Sequence, residues 1–185
     1  VISCTHCTRV PDPIPPDATD DIQYLIFQIF TYNPSSNGEK QPLDGVAIRN
    51  QINQILAAVD NNRGNGVTRQ IGFAVGPLSL DHTDEEMRAF IRASFTIADE
   101  KDVAVVLHID ESMFWINRPD LWTDPGNVEW SDWNGTVLPH RYVSWAPVVL
   151  APQMCYNSPG IKQEIQRIAR DVIGDEIRKG IDLLQ

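Results

Sequence analysis

His108, Asp110 and Glu111 close an apolar run, Val103-Ala104-Val105-Val106-Leu107-His108-Ile109-Asp110-Glu111-Ser112-Met113-Phe114-Trp115. His108 and Asp110 are two positions apart, so on a strand they point to the same side. Such a pair can hold a substrate hydroxyl, act as a hydrogen-bonded acid/base couple, ligate a metal, or sit as a structural buried polar pair. A metal site needs three or more protein ligands. Asp81, His82 and Glu111 are the candidates to complete one, but no HxH or HExxH spacing is present. Asp81-His82 directly precedes Thr83-Asp84-Glu85-Glu86, a capping box, and reads equally as a helix entry. Asp110 and Glu111 are neighbours on a strand end and diverge, which makes them a poor pair for hydrolysis between two facing carboxyl groups.

Aromatic residues supply a second kind of chemistry. All five tryptophans lie between Trp115 and Trp145. Trp beside carboxylates and amides suits a sugar, whose C–H face packs on the ring while its hydroxyls take hydrogen bonds. The alternative is that these side chains anchor a long loop that has no helix of its own. Trp115, Trp130 and Trp133 are the candidate stacking platforms. Asn134-Gly135 marks a turn after Trp133, and Asn134-Gly135-Thr136 is also an N-glycosylation triplet. Cys155 has no evident base beside it and is a poor candidate nucleophile. There is no phosphate-cradling Gly-rich loop and no G-x-S-x-G element.

These residues need elements to position them. Ile22 to Thr31 alternates as a strand, with Leu25, Phe27 and Ile29 on one face and Ile26, Gln28 and Phe30 on the other. Ile48, Ile52, Ile55, Leu56 and Val59 recur at helical spacing. Gln70 to Gly76 is a second strand, bulky on one face (Ile71, Phe73, Val75) and very small on the other (Gly72, Ala74, Gly76). Met87, Phe90, Ile91, Ser94 and Ala98 form the stripe of the next helix, and 103–109 is a third strand. A Trp-rich excursion over 110–157 follows. Ser158 and Pro159 then open a helix at N-cap and N1, with an apolar stripe from Ile161 to Leu184.

The order β-α-β-α-β-loop-α demands parallel βα units. No strand shows a solvated polar face, so each is expected to be buried on both sides. The strand ends then share one rim, which gathers Gln28 and Tyr32 from the first strand, Asp81 and His82 beyond the second, and His108, Asp110 and Glu111 from the third. Small inner and bulky outer faces fit a (β/α)8 TIM barrel. Eight strands typically need about 250 residues, so 185 residues with three strands read as an N-terminal part. Residues 1–21, with Pro11, Pro13, Pro15 and Pro16, read as an extended leader, and 22–185 as a partial barrel domain whose next element is a strand.

A net charge of −10 and a pI near 4.7 argue against nucleic acid or an anionic membrane as partner. No run is long enough to span a membrane. Cys4-Thr5-His6-Cys7 lacks the second ligand pair of a zinc ribbon. Val1-Ile2-Ser3-Cys4 also fits the end of a bacterial lipoprotein signal, which gives a secreted or periplasmic setting with Cys4 as candidate lipid anchor.

Phe27-Gln28-Ile29-Phe30-Thr31, Gly72-Phe73-Ala74-Val75-Gly76-Pro77, Leu107-His108-Ile109-Asp110-Glu111-Ser112-Met113-Phe114-Trp115 and Ala151-Pro152-Gln153-Met154-Cys155-Tyr156-Asn157-Ser158 together resemble the N-terminal part of bacterial glycoside-hydrolase-like TIM barrels. The resemblance implies a carbohydrate ligand, no cofactor, and catalytic carboxylates at the ends of strands four and seven. Those strands lie beyond this sequence, so no residue here inherits either role. Gln28, Tyr32, His108, Asp110 and Glu111 are then expected to bind hydroxyls. The rival expectations are a metal-dependent hydrolase using His108, Asp110 and His82, and a non-catalytic carbohydrate-binding protein.

Overall fold

Bulky side chains at every second position of three strands make a continuous apolar layer. In the computed structural model, which describes residues 2–4, 22–30, 43–65, 69–109, 115, 117–141 and 149–182, strand β1 is Ile2–Cys4 and β2 is Gln23–Phe30. Helix α1 is Gly45–Ala58, β3 is Arg69–Leu78, α2 is Asp84–Lys101 and β4 is Ala104–Ile109. The sheet order is β1-β4-β3-β2, with β2, β3 and β4 parallel. Register sets Phe27 beside Phe73 and Phe73 beside Val105, and likewise Ile29, Val75 and Leu107. The Phe27 and Phe73 rings stack with centroids 6.0 Å apart.

The described helices pack on this bulky face. Ile48, Ile52 and Leu56 of α1, Met87, Phe90, Ile91 and Ile97 of α2, and Ile161, Ile168, Val172 and Ile173 of the last helix join one core with it. The opposite face carries Ile26, Gln28, Gly72, Ala74, Gly76, Ala104, Val106 and His108. A Cβ on Gly72 would stand 2.5 Å from Ile26 Cδ1, and one on Gly76 would stand 2.7 Å from the His108 carbonyl oxygen. Close approach of a neighbouring strand's backbone therefore requires Gly76, whereas at Gly72 the nearest atom is the tip of a flexible side chain.

The expectation that all three parallel strands are buried on both sides holds for β3 and most of β4, and fails for β2. Leu25 is 61% and Ile26 39% exposed, because β2 is an edge strand. At the other edge, Ile2, Ser3 and Cys4 pair antiparallel with Leu107, Val106 and Val105. Residues read as an extended leader thus supply a short edge strand.

Local signals placed the helices well. Asp44 caps α1 by accepting from the backbone of Val46 and Ala47 at 2.8 and 3.1 Å. In the Thr83 capping box, Glu86 N–H donates to Thr83 Oγ1 at 3.2 Å and Thr83 N–H to Glu86 Oε2 at 2.8 Å. The excursion holds more structure than expected: a one-turn helix α3 (Pro119–Trp122), a 3-10 turn at Pro125–Asn127, and an antiparallel pair β5 (Pro139–Arg141) and β6 (Val149–Pro152). The last helix opens at Ser158 and Pro159 as expected. It runs as α4 (Pro159–Arg167), a π-helical turn (Ile168–Ile173) and α5 (Gly174–Asp182). Glu176, buried against α2, accepts from Arg88 at 3.0 Å, Arg92 at 2.6 Å and Lys179 at 3.0 Å.

Candidate functional site

Parallel pairing brings the C-terminal ends of β2, β3 and β4 to one end of the sheet. Gln28 and His108 share the small-residue face there, and Gln28 Nε2 lies 3.4 Å from His108 Nδ1. Gly76 lies beside His108, whose Cβ would stand 3.2 Å from a Cβ at that position. If the Gln28 amide donates, Nδ1 is the acceptor and Nε2 carries the ring proton. Exposed Gln28 then turns its amide carbonyl towards a hydroxyl-bearing ligand. Tyr32, Asp110 and Glu111, expected on the same rim, lie outside the described residues.

Asp81 and His82 take the structural role. His82 Nδ1 accepts from the Ser79 backbone N–H at 3.1 Å and lies 2.9 Å from Ser79 Oγ. Because a backbone N–H points at Nδ1, the ring proton sits on Nε2. Asp81 Oδ1 accepts from Asn117 N–H at 2.8 Å, which ties the excursion to the loop after β3. Among the described residues no three His, Cys, Asp or Glu side chains come together as a metal site would require. His82 and His108 engage different partners, in the turn and on the sheet respectively.

The tryptophans divide. Trp115 is 1% exposed and its indole N–H donates to the Pro152 carbonyl at 3.0 Å. It anchors the excursion and offers no face to a ligand, which corrects its expected place as a stacking platform. Trp130 is 52% exposed and Trp133 fully so. Both belong to a hairpin closed by a bridge between Trp130 and Val137. Asp132 Oδ1 accepts from Asn134 N–H at 2.8 Å and Thr136 N–H at 3.2 Å, and Oδ2 accepts from Thr136 Oγ1 at 2.8 Å. Those donors, the Thr136 hydroxyl first, hold the Asp132 carboxyl below its usual range. Gly135 takes φ of 82° to complete the turn.

A chain of charges that no sequence spacing announced fixes the excursion at the strand ends. Arg118 donates to Glu164 at 2.9 Å, Arg167 donates to Glu164 at 2.9 Å, and Arg167 reaches Asp84 at 2.7 Å. Arg167 holds the Asp84 and Glu164 carboxyls below their ordinary values. Arg118 also donates to the Leu80 carbonyl at 3.5 Å. The partners sit 38 or more residues apart in three of these contacts, beyond any periodicity. Beneath them, Leu78, Leu80, Met87, Ile109, Ile165 and Ile168 line an apolar hollow of about 10 Å³, the lower limit for one water.

No protein-family model, curated protein or solved structure matches the chain. Among the described residues no helix is long and apolar enough to cross a membrane.

Proposed function

We propose that the chain is the carbohydrate-binding, N-terminal part of a glycoside-hydrolase-like (β/α)8 barrel, with its site at the C-terminal ends of the parallel strands. The observation that carries the carbohydrate reading is Trp133, fully exposed on a turn that hydrogen bonds hold in place. An indole offered in this way suits the C–H face of a sugar ring. Gln28 and His108, with Tyr32, Asp110 and Glu111, take the hydroxyls in this reading. The barrel reading is supported by the one-sided packing of the helices and by the small residues on the other sheet face, as a barrel interior requires. Closure would set a fourth parallel strand on the β4 edge, where three residues of β1 pair in this structure.

A panel of neutral soluble and insoluble carbohydrates tests this reading. Binding to at least one of them, weakened by His108→Ala or Trp133→Ala by roughly 1–3 kcal/mol as for the loss of one contact partner, is the expected result. No binding to any member of the panel overturns it.

A further inference from the structure

Trp133 keeps no described side chain on either face of its ring, and the turn beneath it is ordered by contacts that do not involve the indole. Ser131 N–H donates to the Thr136 carbonyl at 2.7 Å, and the Ser131 hydroxyl donates to the same oxygen at 3.1 Å. With the three bonds to Asp132, five hydrogen bonds fix a loop whose apolar tip is left in water. Fixing the backbone beneath it lowers the entropy lost when the tip binds, whereas exposing a whole indole gains nothing for the fold. The bridged pair that closes the hairpin is exposed and apolar as well: Trp130 at 52% and Val137 at 41%.

Such a projecting tip has a particular geometry. A small sugar is held tightly when walls on several sides bury most of its surface. Here the aromatic stands proud of the surface, so one sugar ring meets one wall. Affinity must then come from many rings presented side by side, as on an extended polymer. Charge narrows the polymer further. From Asn117 to Leu138 the carboxylates are Asp120, Asp124, Glu129 and Asp132, and Arg118 is the cation among them. Arg118 is paired with Asp120 and Glu164. A polyanion would meet uncompensated like charge at this surface.

We propose that the Trp130–Val137 hairpin is a preformed platform for an extended, uncharged polysaccharide surface. This rests on the carbohydrate reading above and names the substrate class within it. The test is depletion of the purified chain by insoluble β-glucan and by chitin, set against titration with short soluble oligosaccharides of the same sugars and with polygalacturonate.

The expected result is co-sedimentation with an uncharged polymer and binding at least tenfold weaker to its short oligosaccharides. Trp133→Ala should weaken polymer binding by roughly tenfold or more, the scale of one lost stacking partner, with unchanged circular dichroism and melting temperature. Arg170→Ala, an exposed change on the last helix, should leave polymer binding intact. Equal affinity for oligosaccharide and polymer, undiminished polymer binding in Trp133→Ala, or capture by polygalacturonate would each overturn the platform while the carbohydrate reading stands. Failure of every carbohydrate to bind would overturn both.

Discussion

Trp115 and Trp133 are the same residue in one aromatic-rich segment, and the fold uses them in opposite ways. Trp115 fills the space beyond β4 and donates its N–H to Pro152, so Trp115→Ala leaves a cavity and an unanswered carbonyl. We expect a loss of about 3–5 kcal/mol in stability by urea denaturation. Trp133 touches no core residue, and Trp133→Ala should move stability by less than about 0.5 kcal/mol. A comparable loss in both variants would show that the hairpin tip is part of the packing. The sequence could not separate these two, because burial of an aromatic is decided by contacts dozens of residues away. It did disclose the turn that displays Trp133, since Asn134-Gly135 is a local signal. It also disclosed that Gln28 and His108 share a face, because strand alternation has a period of two. The burial of Asp81 and His82 follows from Ser79 and Asn117, which no motif links to them.

Elements show the same division between local and distant causes. The Thr83 box was legible because both of its hydrogen bonds span three residues. Thr83→Ala should cost about 1 kcal/mol, read as a lower melting temperature with the helix content retained. A variant with unchanged stability would mean that Arg167 on Asp84 already secures this helix end. The short strands were not legible. Ile2-Ser3-Cys4 is too brief to show alternation, and its pairing depends on a free β4 edge. The apolar residues of β2 give no sign of exposure, and only its place at the sheet edge uncovers Leu25 on one face and Ile26 on the other. In the excursion, β5 and β6 exist through contacts such as Gln153 N–H to Leu138 carbonyl at 2.8 Å, across a separation that no pattern records.

At the scale of the whole molecule, the last helix is held to α2 by Glu176. Arg92 first, then Lys179 and Arg88, lower its carboxyl from 4.5 to about 2. A depressed folded-state pKa contributes stability above the ordinary value and loses it as pH falls through the folded one. Stability should therefore decline as pH drops from about 4.5 towards about 2. Glu176→Gln should cost roughly 1.5–3 kcal/mol at neutral pH, the scale of hydrogen bonds to a charged group, and flatten that acid slope in pH-dependent denaturation. An unchanged slope would remove Glu176 as its cause. The same helix contains the π-helical turn, where Gly174 N–H bonds the Ala169 carbonyl five residues back and Arg88 also takes the Asp171 carbonyl. With one residue left out of the count, Gly180 falls about five α-helical turns from Ile161, on the side where it meets Phe95 of α2. The wide turn thus behaves as a single-residue insertion that the helix absorbs without losing phase. Deleting Ala169 should leave a regular helix still seated on α2, with a modest fall in melting temperature. Deleting Gln163 should turn Ile161 and the Ser158 cap by about 100° against everything that follows, and the helix should come away from the sheet.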